Sequence, residues 1–192
     1  YRSKFKGLYK REVSIIKRKY KKFYLFNSDF GLLSNQDRAN QYKFLKKHNK
    51  DKNVLKYILP KFNIIDFENF KKLLKSLKKE DKIPKIIIRP HPAENLIEWR
   101  NIGNINSNII TKTPKYDVTS MIIASEGVIH RGCSTGFQSI VYRKKTAYLT
   151  LTDGYQNNPD FRSSLLKHST KINSINSLKK WSCNKNKYQK DN

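Results

Sequence analysis

At 192 residues the chain has room for one domain with a real core and a terminal extension, and two full domains would be cramped. Apolar residues make up 37%, charged residues 29% and aromatics 12%, a balance that favours a folded protein over a disordered one. The formal charge of +26 fits nucleic acid, an anionic membrane surface or a phosphorylated substrate, and equally an AT-rich genome filling solvated positions with Lys, Asn and Ile codons.

Residues 1–22, "YRSKFKGLYKREVSIIKRKYKK", read as a basic linker or interface helix. An apolar strand follows at Phe23–Phe26 and breaks into Asn27, Ser28, Asp29 and Gly31, which are turn and helix-cap residues. Residues 35–61 are polar and predict no clear element. Asp66 is placed to cap a helix in which Phe67, Phe70, Leu73, Leu74 and Leu77 recur at helical spacing. Next comes "IIIRPHPAENLIEW", residues 86–99. Three consecutive β-branched residues predict a strand buried on both faces, because a half-solvated strand would alternate polar and apolar positions. Pro90 and Pro92 end it and hold Arg89 and His91 on a stiff ledge. Glu94 and Trp99 are expected to cap and pack the following helix.

A short "NIIT" strand, a helix in "DVTSMIIASEG" opened by Asp117, a buried "GVIH" strand, a "RGCSTG" loop, a helix "FQSIVYR" and a strand "TAYLTL" complete the alternation. Strand and helix alternating from residue 23 to about 151 predict an α/β fold, a Rossmann-like parallel sheet with helices on both faces. "INSLKKW" reads as a last short helix and "SCNKNKYQKDN" as a frayed tail. The expected organisation is a basic helix at 1–22, a Rossmann-like lobe at 23–170 and a short helix with tail at 171–192. No apolar run is long enough to span a bilayer and no signal peptide is evident, so the expected address is cytoplasmic.

Ligands of open parallel sheets bind at the carboxyl ends of the strands, which directs attention to the two strand-end motifs. In the second, small residues from Gly132 to Gly136 let a ligand approach the backbone, while helix-start N–H groups and the hydroxyls of Ser134 and Thr135 can donate to phosphate. The loop matches neither a Walker loop nor GxGxxG. His130 is either a histidine serving the fold or a ligand contact, and Ser134 either a helix cap or a phosphate contact. His91 is read as a ligand contact, because its flanking prolines stiffen the backbone without helping the sheet. Arg89 can pair with a carboxylate of the fold or face phosphate as a planar fork. Asp29, on the same sheet edge, is either a turn cap or the one candidate for a catalytic base. Cys133 and Cys183 stand far apart, without a CxxC or Cys/His cluster, and are read as free thiols. Neither a metal site nor a bound cofactor is expected.

Taken together, "FNSDFGLLSN", "IIIRPHPAENLIEW" and "IASEGVIHRGCSTGFQSIVYRKKTAYL" resemble the bacterial surface-carbohydrate biosynthesis proteins, which look like glycosyltransferases of the two-lobed GT-B type. The likeness runs from about residue 23 to 151 and covers one lobe, the C-terminal donor-binding one. The acceptor lobe would then lie before Tyr1. A His-Pro pair followed by a hydroxyl pair is similar to the pattern of transferases using CMP-activated sialic acid or Kdo, and related motifs occur in CDP-glycerol-type polymer transferases. The resemblance implies His91 and Pro92 on the nucleotide, and Ser134 and Thr135 on phosphate with Gly132 and Gly136 shaping the loop. It implies a nucleotide-sugar donor as co-substrate, a glycan or lipid-linked acceptor, and peripheral contact with the anionic inner face of the bacterial inner membrane. The sequence departs from the pattern at Arg131, where a small polar residue such as asparagine is common. Two alternatives stand beside this reading: a UDP-sugar epimerase-like enzyme of the same shape, and a basic nucleic-acid-binding module.

Overall fold

The computed structural model describes residues 7–30, 47, 62–77, 85–92, 94, 96–103, 108–111, 115–151 and 164–184. Six helices and six strands carry the architecture of this described part: α1 (Lys10–Tyr20), β1 (Tyr24–Asn27), α2 (Phe62–Leu77), β2 (Ile86–Arg89), α3 (Leu96–Gly103), β3 (Ile109–Thr111), α4 (Val118–Ala124), β4 (Gly127–His130), α5 (Ser134–Val141), β5 (Lys145–Leu149), β6 (Thr170–Ile172) and α6 (Ile175–Cys183). The strands form a single parallel sheet in the order β3-β2-β1-β4-β5-β6. The strand order reverses direction between β1 and β4, so the sheet is Rossmann-like and doubly wound, with its switch point at the carboxyl ends of those two central strands.

Alternation along each strand divides the core into two layers. On one face Phe26, Ile86, Ile88 and Ile129 join Phe67, Phe70, Leu74, Trp99, Leu178 and Trp181 from α2, α3 and α6. On the other, Leu25, Ile87 and Val128 join Ile16 and Tyr20 of α1 and Met121, Ile122 and Ala124 of α4. The three isoleucines of β2 are therefore buried from both sides, with Ile87 and Ile88 fully so. Asp117 opens α4 as its sequence suggests, its carboxylate accepting from the Thr119 N–H at 2.7 Å.

Three expectations need correction. Asp66 does not cap α2: the helix starts at Phe62, and Asp66 lies inside it, buried and ion-paired with Arg131. Next, of the two readings of residues 1–22 the linker gives way to the interface helix, because Ile16 is wholly buried against the sheet and α1 lies alongside α4. Finally, the division at 170 falls within β6, a strand that pairs Thr170–Ile172 with Ala147–Leu149. Only Ile172 of β6 is buried, so an alternating signal has no room to show in three residues. Past β6, a Ser174–Ser177 capping box starts α6, and Tyr24 donates its hydroxyl to the Ser182 carbonyl at 2.7 Å. The expected readings at 35–61, residue 47 aside, and at the end of the tail lie outside the described residues.

The packing of α6 makes Trp181, 2% exposed, part of the principal core. Trp181→Ala is expected to destabilise the chain by about 3–5 kcal/mol, as for other large-to-small core truncations. The shift of the urea unfolding midpoint measures it, and a near-zero shift would return α6 to the status of an appendage.

Candidate functional site

The carboxyl ends of β2, β1 and β4 lie side by side, and neighbouring strands are about 4.8 Å apart. The β2 and β4 loops therefore stand about 10 Å apart across the end of β1, a spacing that one nucleotide can bridge. A buried carboxylate joins the first two ends. Glu94, 4% exposed, accepts the Phe30 N–H at 2.6 Å, the Ser28 hydroxyl and the His91 N–H at 3.1 Å. The His91 N–H also reaches Ser28 Oγ at 3.0 Å, and the Glu94 N–H closes a turn on the His91 carbonyl at 2.9 Å. Burial pushes the Glu94 pKa up, while these hydrogen bonds to the charged form hold it back. Glu94 thus ties two loops together instead of merely capping α3, whereas Trp99 packs as expected, among Phe26, Phe30, Phe67 and Phe70.

A buried guanidinium secures the third end. Arg131, 2% exposed, pairs with Asp66 of α2, donates to the Asp29 carbonyl at 2.8 Å and lies 4.1 Å from the centre of the Phe30 ring. The departure from the family-like pattern at this position is therefore a structural one, since Arg131 faces the core. Asp29 serves the same arrangement through its carbonyl.

His130 points to the opposite face and is wholly buried. Its Nδ1 accepts the Gly132 N–H at 3.0 Å, so in the neutral ring the proton sits on Nε2 and is donated to Ser169 Oγ at 3.0 Å, which in turn donates to the Leu165 carbonyl at 2.8 Å. Burial lowers its pKa to about 3. Of the two readings of His130, the geometry favours the histidine serving the fold over the nucleotide contact, as both ring nitrogens are engaged within the fold. It acts from beneath. Gly132 turns the chain at φ 96°, a conformation glycine adopts without strain, and a Cβ at Gly136 would stand 2.9 Å from the His130 ring. Gly136 belongs to the first turn of α5 and lets that helix sit down on the ring; the loop proper is only residues 131–133.

Ser134 opens α5 as its first residue and is exposed, so its hydroxyl is not spent as the helix cap; that position is taken by Cys133, whose Sγ lies 2.8 Å from Thr135 Oγ1. His91 and Pro92 are exposed on the β2 loop, and Pro90 is buried behind them. Arg89 is half-buried, with Nε unpartnered, and burial lowers its pKa against the opposing pull of Asp117. The structure thus brings His91, Pro92, Ser134 and Thr135 to one sheet edge. Sequence reasoning took Asn27 for turn chemistry, yet it is buried with neither amide atom partnered. Both cysteines are free thiols. Among the described residues there is no group of three or more metal-ligating side chains and no helix long and apolar enough to cross a membrane. No family model, curated protein or solved structure matches the chain.

Two outcomes test the support beneath the loop. The unfolded chain protonates its histidine near pH 6.5, whereas folded His130 stays neutral to about pH 3, so its contribution is full above pH 6.5 and is lost as pH falls through that window. Urea titrations at about pH 7 and pH 4 should show a smaller acid loss for His130→Gln than for the natural chain. Gly136→Ala is expected to cost about 1–3 kcal/mol by overpacking, and that cost should shrink when His130 is also replaced by alanine, a coupling that a double-mutant cycle reads directly.

Proposed function

We propose that this lobe binds the nucleotide of an activated sugar and serves as the donor half of a glycosyltransferase for bacterial surface polysaccharide, with a CMP- or CDP-linked donor. The observation carrying this reading is the pairing of His91 and Pro92 with Ser134 and Thr135 on either side of the switch point, their loops fixed by Glu94 and Arg131. Doubly wound sheets take their ligands at that position. The Ser134 hydroxyl and the N–H groups at the start of α5 would meet phosphate, and His91 and Arg89 would stabilise the negative charge that grows on a nucleotide leaving group. The exposed basic residues of α1, among them Lys10, Arg11 and Lys17, suit peripheral contact with an anionic membrane that carries a lipid-linked acceptor.

Calorimetric titration with CMP, CDP, UDP and ADP at moderate salt tests the reading. Cytidine nucleotides should bind best, and His91→Ala and Ser134→Ala should each weaken that binding at least tenfold. A uridine preference would favour epimerase-like chemistry instead. Oligonucleotide binding that falls steeply with salt and ignores His91→Ala, with no binding of free nucleotides, would make the chain a basic nucleic-acid-binding module.

A further inference from the structure

Asn27 and Arg89 end the two adjacent strands β1 and β2 and are direct register partners. Leu25 and Ile87, two residues earlier on each strand, belong to the layer formed with α1 and α4, so the alternation of the strands turns Asn27 and Arg89 toward that same face. Asn27 is 3% exposed, and neither its amide nitrogen nor its amide oxygen has a hydrogen-bond partner; Arg89 Nε is likewise buried and unpartnered. A fourth such atom, the hydroxyl of the fully buried Ser120, lies on α4, whose Met121, Ile122 and Ala124 pack over this face. Buried polar groups are nearly always paired, so an unpaired amide beside an unpaired guanidinium nitrogen at the carboxyl ends of β1 and β2 calls for an explanation. Within the fold the Arg89 guanidinium feels the charge of Asp117, but its Nε and the Asn27 amide make no hydrogen bond. His130, Glu94 and Arg131, the neighbouring buried polar side chains, all have partners within the fold.

We propose that Asn27 and Arg89 form an oxyanion subsite of the ligand, the guanidinium meeting the negative oxygens and the Asn27 amide donating to one of them. This deepens the donor-site reading and rests on it for where the ligand lies, though not for which base it carries. The chemistry required is a planar or tetrahedral oxyanion, which a nucleotide supplies as phosphate and an acidic sugar as carboxylate. Satisfying the pair within the free protein should make it more stable and less able to bind, a signature that a merely structural asparagine lacks.

The test titrates the full chain with CMP, N-acetylneuraminate and cytidine, which carry a phosphate, a carboxylate and neither, and records the melting temperature of each variant without ligand. Asn27→Leu removes the unpaired amide and should raise the melting temperature while weakening the oxyanion-bearing probe at least tenfold. Loss confined to CMP assigns the subsite to phosphate, and loss confined to N-acetylneuraminate assigns it to the sugar carboxylate. Asn27→Asp sets a carboxylate in register with Arg89 and should stabilise the chain while abolishing oxyanion binding. Should Asn27→Leu fail to fold, Arg89→Lys keeps the charge, loses the fork and should show the same selective weakening. Cytidine-selective binding of CMP and binding of N-acetylneuraminate both left intact by all three substitutions overturns the subsite and spares the donor reading. Oxyanion binding that depends on Asn27 without any preference for a cytidine nucleotide does the reverse, and failure of every probe to bind the natural chain overturns both.

Discussion

Residues 28–30, which follow β1, are gripped by two buried charges of opposite sign, and the arrangement of the sheet edge follows from that grip. The Glu94 carboxylate arrives from the β2 loop and takes the Phe30 N–H; the Arg131 guanidinium arrives from the β4 loop, takes the Asp29 carbonyl and covers the Phe30 ring. Neither charge is left bare, since Glu94 collects hydroxyl and amide donors and Arg131 finds Asp66. Removing Asp66 would strand the Arg131 guanidinium in a poor dielectric, which is costly for a buried charge. Three strand ends far apart in sequence are thereby joined through buried side chains. A ligand placed across them would meet groups already in position, which lowers the ordering cost of binding.

The sheet plane divides the polar residues of this edge into two sets by strand parity. Arg131 falls on the side of α2 and the aromatic cluster, and His130, one residue earlier, on the side of α5. Each supports the loop that follows from a different face. The same parity places Asn27 and Arg89 together and keeps them from Phe26 and Ile88. A strand shifted by one residue would exchange these sets, so the two-sided burial of β1, β2 and β4 also protects the register of the site.

Much of the fold was legible because its signals were local. Continuous apolar runs gave β1, β2, β4 and β5, helical spacing gave α2, and Asp117 announced α4. What stayed hidden was tertiary. Nothing near Asp66 says that it pairs with a residue just past β4, and a helix that begins four residues earlier makes it an interior acid where spacing alone offers a cap. β6 is too short to show a period, and its membership in the sheet comes from pairing with β5. At the edge, the pairing of a proline-flanked histidine with a hydroxyl-bearing helix start could be read from the chain, but the burial of His130 and the unmet hydrogen bonds of Asn27 could not, since they depend on which elements close over them.

The central position of β1 has a consequence for how the chain comes to be folded. It comes before the other described strands, yet its partners on either side follow about 60 and 100 residues later, with β2 and β4. Until then Tyr24–Asn27 is an apolar segment with both edges open, the kind of surface that recruits other strands. Folding of so non-local a centre is slow, because loop closure must precede the contacts that reward it. During synthesis α1 can shade only one face of that segment. Between residue 27 and residue 130 the centre of the sheet thus waits for the two strands that close its edges.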